Sequence, residues 1–211
     1  MSDYLDRLPE AMRDRGNSEA GEIEILDREP GDPTTGIVFE NRWFMVVTDP
    51  VRFPDGRTGT YSRVIESAAL GGHNGTVVVP LTEDAVGFVR IFRHATRSWE
   101  WELPRGFREP GLDGEANARN ELLEETGLEA GSVRLVGRVN PNTGLFAGSI
   151  EVFVAQIARG EVHRAEASRS EAIREVRFVP LEELDEFLLD EVTCGLSLNA
   201  IFFAKLQGLL R

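Results

Sequence analysis

Glu102–Leu128 reads ELPRGFREPGLDGEANARNELLEETGL, and the fold turns on how that stretch divides. Pro104 and Gly106 end a strand, Pro110–Gly111 makes a turn, and Asp113 is placed to cap a helix over residues 114–126. Residues 116–123 are mostly good helix formers, and Gly127 follows where a left-handed residue closes a helix. At about 100° per residue, Glu121, Glu124 and Glu125 share an arc of roughly 100°, while Leu122 and Leu123 point away toward a core. Carboxylates so spaced weaken a helix by a few tenths of a kcal/mol per pair. Carboxylates crowded in this way repel one another unless a cation sits among them. Hard oxygen donors suit Mg²⁺ or Mn²⁺, and Mg²⁺ takes one or two carboxylates and completes its shell with water and phosphate oxygens. For ELLEE alone, a solvated acidic helix face is the competing reading.

Outward from this stretch the chain alternates between strand and helix patterns. Upstream, 75–80 (GTVVVP) and 85–92 (AVGFVRIF) read as strands joined by a turn at 81–84, and 99–103 as a third strand ended by Pro104. Further upstream, 43–48 is β-rich, Asp49–Pro50 and 53–56 read as turns, and 58–65 as a strand, which makes a small antiparallel unit over 37–68. Residues 1–36 carry Gly16, Gly21, Pro30, Gly31 and Pro33, so a loosely ordered lead-in with one short strand at 23–26 is expected. Downstream, 133–139 and 150–156 are strands around an NPNTG loop at 140–144. A polar loop at 159–170, a strand at 175–179, a short helix at 181–189 and a longer one at 196–210 complete the chain, with 69–211 as its main domain. The interleaving implies an α/β (α+β) fold with a mixed sheet.

The 211 residues are 41% hydrophobic and 28% charged, an ordinary globular composition. A formal net charge of −13 speaks against a protein that grips nucleic acid by its backbone. An anionic substrate must then be drawn in locally, by bound cations or placed arginines. Cys194 is the one cysteine, so no intramolecular disulfide forms. It lies in an apolar helical run and reads as core. No run is long enough to span a membrane, and the charged N-terminus lacks the apolar stretch of a signal peptide, so a cytoplasmic protein without membrane partners is expected.

The 106–128 segment resembles the Nudix hydrolase signature, G-x5-E-x7-R-E-U-x-E-E-x-G-U with U a bulky aliphatic. Aligned without gaps, Gly106 takes the first glycine, Glu121 the glutamate of RE, and Leu122 the aliphatic. Glu124 and Glu125 then take the EE pair, Gly127 the last glycine and Leu128 the final aliphatic. Two positions depart: Leu112 stands for the first glutamate and Asn120 for the arginine. Glu109, Glu115 and Arg119 are nearby candidates to compensate, the last two at i,i+4 spacing. Residues 93–107, RHATRSWEWELPRGF, look like the approach to this box in the ADP-ribose pyrophosphatase-like branch, with Glu102–Gly106 as its ELPAG-type segment. A small antiparallel subdomain ahead of the main domain fits that branch, where it helps to build a homodimer. One branch marker differs: Thr143 stands where a proline would align, with Pro141 two positions earlier.

The resemblance implies a Nudix α/β/α sandwich and Mg²⁺-dependent cleavage, with Mn²⁺ an alternative cofactor. Glu121, Glu124, Glu125 and the Arg105 carbonyl are then the metal ligands. The substrate is a nucleoside diphosphate sugar, first ADP-ribose, giving AMP and ribose 5-phosphate. A GDP-mannose or UDP-glucose type substrate is the alternative, as is a sensor that binds a nucleotide sugar without hydrolysing it. Arg93, Trp99, Glu102 and Gly106 are the substrate-binding candidates; a guanidinium suits bidentate phosphate contact. The general base is Glu124 or a loop glutamate, with Glu171 preferred to Glu166. Trp99 and Trp101, two apart on a strand, share one face, which reads as core with one indole free to stack on a base at its edge. His73 and His163 read as surface residues.

Overall fold

The computed structural model describes residues 4–70, 75–109, 111–168, Ser170 and 172–210. These fall into two compact units: residues up to 70 with Asn142–Gly148, and 75–141 with 149–210. In chain order the elements are β1 (Glu24–Ile25), β2 (Gly36–Glu40), β3 (Phe44–Arg52), β4 (Thr58–Glu66) and α1 (Ser67–Leu70) in the first unit. The second holds β5 (Gly75–Leu81), β6 (Ala85–Arg93), β7 (Ser98–Glu102), β8 (Arg105–Gly106), α2 (Gly114–Thr126), β9 (Ser132–Val139), β10 (Ile150–Gln156), β11 (Ile173–Pro180), α3 (Leu184–Glu191) and α4 (Gly195–Leu206). No helix among the described residues is long and apolar enough to cross a membrane.

In the second unit the sheet runs β11-β6-β5-β10-β9, with β7 on β6 and β8 on β5. Only β5–β10 is parallel among these pairings, so the sheet is mixed. Every residue of β5 (GTVVVPL) is buried, which explains why it lacks polar alternation. Val77 and Val79 face one cluster with Val152, Val154, Ala200 and Ile201, and Val78 faces the other with Ala118, Leu122 and Phe153. Period-two alternation thus places α2 on one side of the sheet and α3 and α4 on the other. The expected α/β/α sandwich is present.

The first unit differs from the loosely ordered lead-in expected for 1–36. Short 3-10 turns bring Leu5 and Leu8 into a core with Met45, Val47 and Ile65. Asp49–Pro50 also forms no turn, since β3 runs straight through it. Pro50 falls between Thr48, the end of the β2 pairing, and Val51, where β1 pairs, so no ladder donor is required of it. Asp49 is buried because it accepts the Tyr4 hydroxyl and pairs with Arg63 at 2.8 Å. The 142–148 loop, expected in the main domain, belongs to this unit: Leu145 and Ala147 bond the Val64 main chain.

Candidate active site

The main chain of the ELPRG segment is fixed by hydrogen bonds to α4 and to β5. Leu103 N–H donates to the fully buried Ser197 Oγ on α4 at 2.9 Å, and the Pro104 carbonyl accepts from Val78 N–H at 2.9 Å. Arg105 and Gly106 then pair with Val77 and Thr76. The Arg105 main chain is therefore held to the centre of the sheet, whatever its side chain does.

That side chain turns back to Glu102, where it meets a second guanidinium. Arg93 grips the Glu102 carboxylate side-on, Nε to Oε1 at 3.0 Å and Nη2 to Oε2 at 2.7 Å, and Arg105 Nε donates to Oε2 at 2.8 Å. Burial would raise the Glu102 pKa, but the Arg93 hydrogen bond and the charges of Arg105 and Arg93 hold it below the ordinary carboxylate value. Burial would likewise lower the Arg93 pKa, yet Glu102 and then the charge of Glu125 hold it above the ordinary value. Two guanidinium groups thus share the Glu102 carboxylate, and the charge of Glu125 also acts on Arg93. Arg105 meets Glu102 through Nε, and its side chain stays 28% exposed.

The helix beside it forms as its caps dictate. Asp113 accepts from Ala116 N–H at 2.8 Å, and Gly127 closes α2 with φ 70°. The loop ahead of α2 turns at Gly111, φ 89°; Pro110 lies outside the described residues. Buried Asn117 donates to Thr76 Oγ1 and accepts from Glu109 N–H, both at 2.9 Å, which ties helix, sheet and loop together. Arg119 pairs with Glu115 at 2.9 Å and also donates to the Ala130 carbonyl. Leu112 and Asn120 are both partly buried and supply no charge.

On this helix the three glutamates meet different surroundings. The Glu121 carboxylate lies against Gly106, so close that a Cβ there would overlap both of its oxygens. Glu125 is 4% exposed with its Oε2 shut off from solvent, and Glu124 is exposed on the same arc. Among the described residues no three His, Cys, Asp or Glu side chains gather tightly enough to cage an ion. The glutamates form an open face, not a closed cage. That still fits a hard divalent cation, which takes one or two carboxylates and leaves positions for carbonyl, water and phosphate oxygens. Leu123 corrects the expectation that both leucines point inward: Leu122 is buried and Leu123 is 45% exposed.

Of the remaining candidates, Trp101 is core but Trp99 is 37% exposed at the start of β7. Arg174 lies over the Trp99 ring at 4.4 Å and Phe92 meets it edge-on. Glu166 N–H donates to the Thr126 carbonyl, which docks its main chain on the end of α2 with its side chain exposed. Glu171 and His73 lie outside the described residues, and His163 is exposed. Cys194 is partly buried and precedes α4; it is not core. Sequence reasoning missed Asn117, Ser197 and Glu151. An asparagine inside a helix and a glutamate on an otherwise apolar strand were the available signals.

A family model described as NUDIX domain matches residues 72–193. The chain is 25% identical over 179 residues to a CMP-5'-(N-acetyl-N-hydroxy-3-aminopropyl)phosphonate hydrolase of Streptomyces rubellomurinus (strain ATCC 31215), covering 82% of this chain and 81% of that protein. It is 25% identical over 169 residues to ADP compounds hydrolase NudE of Escherichia coli (strain K12), covering 80% and 87%. A solved structure titled as that of an ADP compounds hydrolase superposes with a TM-score of 0.64 at 20% identity, over 89% of this chain and 94% of that one.

Proposed function

The chain belongs to the NUDIX domain family and is a hydrolase of it, and from that premise we propose that it cleaves the diphosphate bond of a nucleoside diphosphate sugar. ADP-ribose is the first candidate, giving AMP and ribose 5-phosphate. One observation carries this reading: the Glu121–Glu125 face of α2 abuts the ELPRG segment, where Arg93 and Arg105 converge on Glu102. Oxygen donors for a cation and guanidinium donors for phosphate thus share one place. The names of the two relatives, one acting on a CMP-phosphonate and one on ADP compounds, support a nucleoside phosphoryl unit in the substrate.

Glu121 and Glu125, with Glu124 and the Arg105 carbonyl, would hold Mg²⁺ or Mn²⁺. When bound, the cation neutralises charge on the diphosphate oxygens and lowers the pKa of an attacking water. Arg93 and Arg105 orient the diphosphate with their N–H groups, and Glu102 keeps both guanidinium planes in place. Glu124, exposed at the edge of the face, accepts the proton of the water; Glu171 and Glu166 are the other candidates. A cytoplasmic homodimer is part of the same proposal.

The test is a hydrolysis screen with Mg²⁺ and with Mn²⁺ over ADP-ribose, GDP-mannose, UDP-glucose, dinucleoside polyphosphates and nucleoside triphosphates. AMP release from ADP-ribose supports the first candidate. Turnover of a GDP or UDP sugar instead keeps the class and changes the base. Activity confined to nucleoside triphosphates would remove the diphosphate-sugar reading.

A further inference from the structure

Glu151 is a carboxylate on the face of β10 that looks toward α2. It alternates with Phe153 and Ala155, both in the apolar cluster of that helix. At 7% exposure it is held by two cations. Arg138 on β9 donates to Oε1, Nη2 at 2.9 Å and Nε at 3.3 Å, and Arg108, in the loop between β8 and α2, donates to Oε2. The carboxylate is also wedged against Gly114, the first residue of α2. A Cβ at that position would overlap Glu151 Oε2, lie 2.8 Å from Phe153 Cζ and 2.9 Å from Arg108 Nη2.

This arrangement adds a charged tie between the loop, the helix start and strands β9 and β10, beside the Asn117 hydrogen bonds that link loop, helix and β5. Arg108 and Glu151 are both nearly buried, with side chains 13% and 9% exposed, so neither charge is well served by water if the other leaves. A negative charge at a helix N-terminus is also favoured by the helix dipole. Because α2 is a rigid rod, fixing its first residue fixes Glu121 about two turns and Glu125 about three turns further on. Leu112 and Asn120 bring no charge to the task, and the loop's charged anchor comes from β10 instead.

We infer that Glu151, paired with Arg108, is a positioning residue that sets the placement of the carboxylate face of α2. The inference rests on the reading that this face binds a divalent cation. The probe is Mn²⁺ binding to the substrate-free 211-residue chain, followed by electron paramagnetic resonance, beside steady-state kinetics on the substrate identified by the screen. Glu151→Gln and Arg108→Gln are each expected to weaken Mn²⁺ binding about tenfold and to lower kcat while KM stays within about twofold. Arg138→Gln, on the more exposed arm, is expected to do less.

The two main variants change charge in opposite directions. A mere through-space effect would therefore weaken binding in Glu151→Gln and strengthen it in Arg108→Gln, and that result would overturn the inference. Unchanged Mn²⁺ affinity in both would do so as well. If Glu151→Gln does not fold, Gly114→Ala displaces the carboxylate with its charge intact and carries the same expectation. A wild-type protein that binds no Mn²⁺ would overturn the cation reading itself and this inference with it. Wild-type binding with unaltered variants overturns the role of Glu151 alone.

Discussion

Glu121 and Gly106 are in such close contact that the carboxylate of one occupies the space where a side chain on the other would begin. The glycine has no positive φ, so its backbone would accept alanine. Space is the constraint, not conformation. Gly106→Ala is therefore expected to fold normally and to push the Glu121 carboxylate aside. A displacement of about 1 Å at a reacting centre lowers rates by roughly 10²-fold, and kcat/KM with an unchanged thermal melt would show it.

Arg105 separates two roles of one residue. Its main chain is fixed by β5 whatever the side chain, so Arg105→Ala should keep the divalent-cation dependence of kcat. Removing the guanidinium should raise the substrate KM about tenfold, the loss of one charge-assisted phosphate contact of about 1.4 kcal/mol. Titrating Mg²⁺ and substrate separately distinguishes the two.

Glu102 supplies a pH dependence with a definite sign. Its folded pKa lies below the usual value of 4.5, so its ion pairs contribute fully above that pH. The contribution is lost as pH falls from 4.5 through the lower folded pKa. Glu102→Gln should be clearly less stable than wild type at pH 7, and the gap should close in this acid window. Denaturant melts at a series of pH values measure it; a gap that widens toward acid would be inconsistent.

In the first unit, Asp49 is paired with Arg63 inside the core, their side chains 5% and 19% exposed. Asp49→Asn leaves the arginine uncompensated and is expected to cost about 3 kcal/mol. A drop in the unfolding midpoint in urea checks it.

The legibility of this fold followed local signals. The helix at 114–126 was readable because Asp113 and Gly127 mark its ends with chemistry that acts over four residues. Glu121 and Glu125 were readable for the same reason, since helical spacing alone places them on one arc. Asp49–Pro50 misled because a proline beside an aspartate has the composition of a turn. The sheet accepts it only because β2 has already ended and Tyr4 and Arg63 satisfy the carboxylate. Such long-range partners leave no mark on a local window. The same is true of Ser197, 94 positions from the Leu103 amide it accepts, and of Glu151, 43 positions from Arg108. Strand alternation put Trp99 and Trp101 on one face but could not say which of them the covering layer reaches; it reaches Trp101 and leaves Trp99 37% exposed.

The Glu121–Glu125 face is proposed to make hydrolysis dependent on a divalent cation. The most direct test of this is the Mg²⁺-dependent cleavage rate of wild type against Glu121→Gln, Glu125→Gln and the double variant, with the fold checked by circular dichroism. Loss of roughly 10³-fold in kcat/KM in each single variant, with no further Mg²⁺ response in the double, is the expected result. A double variant that hydrolyses the same substrate at the wild-type rate, with the same Mg²⁺ dependence, would contradict it.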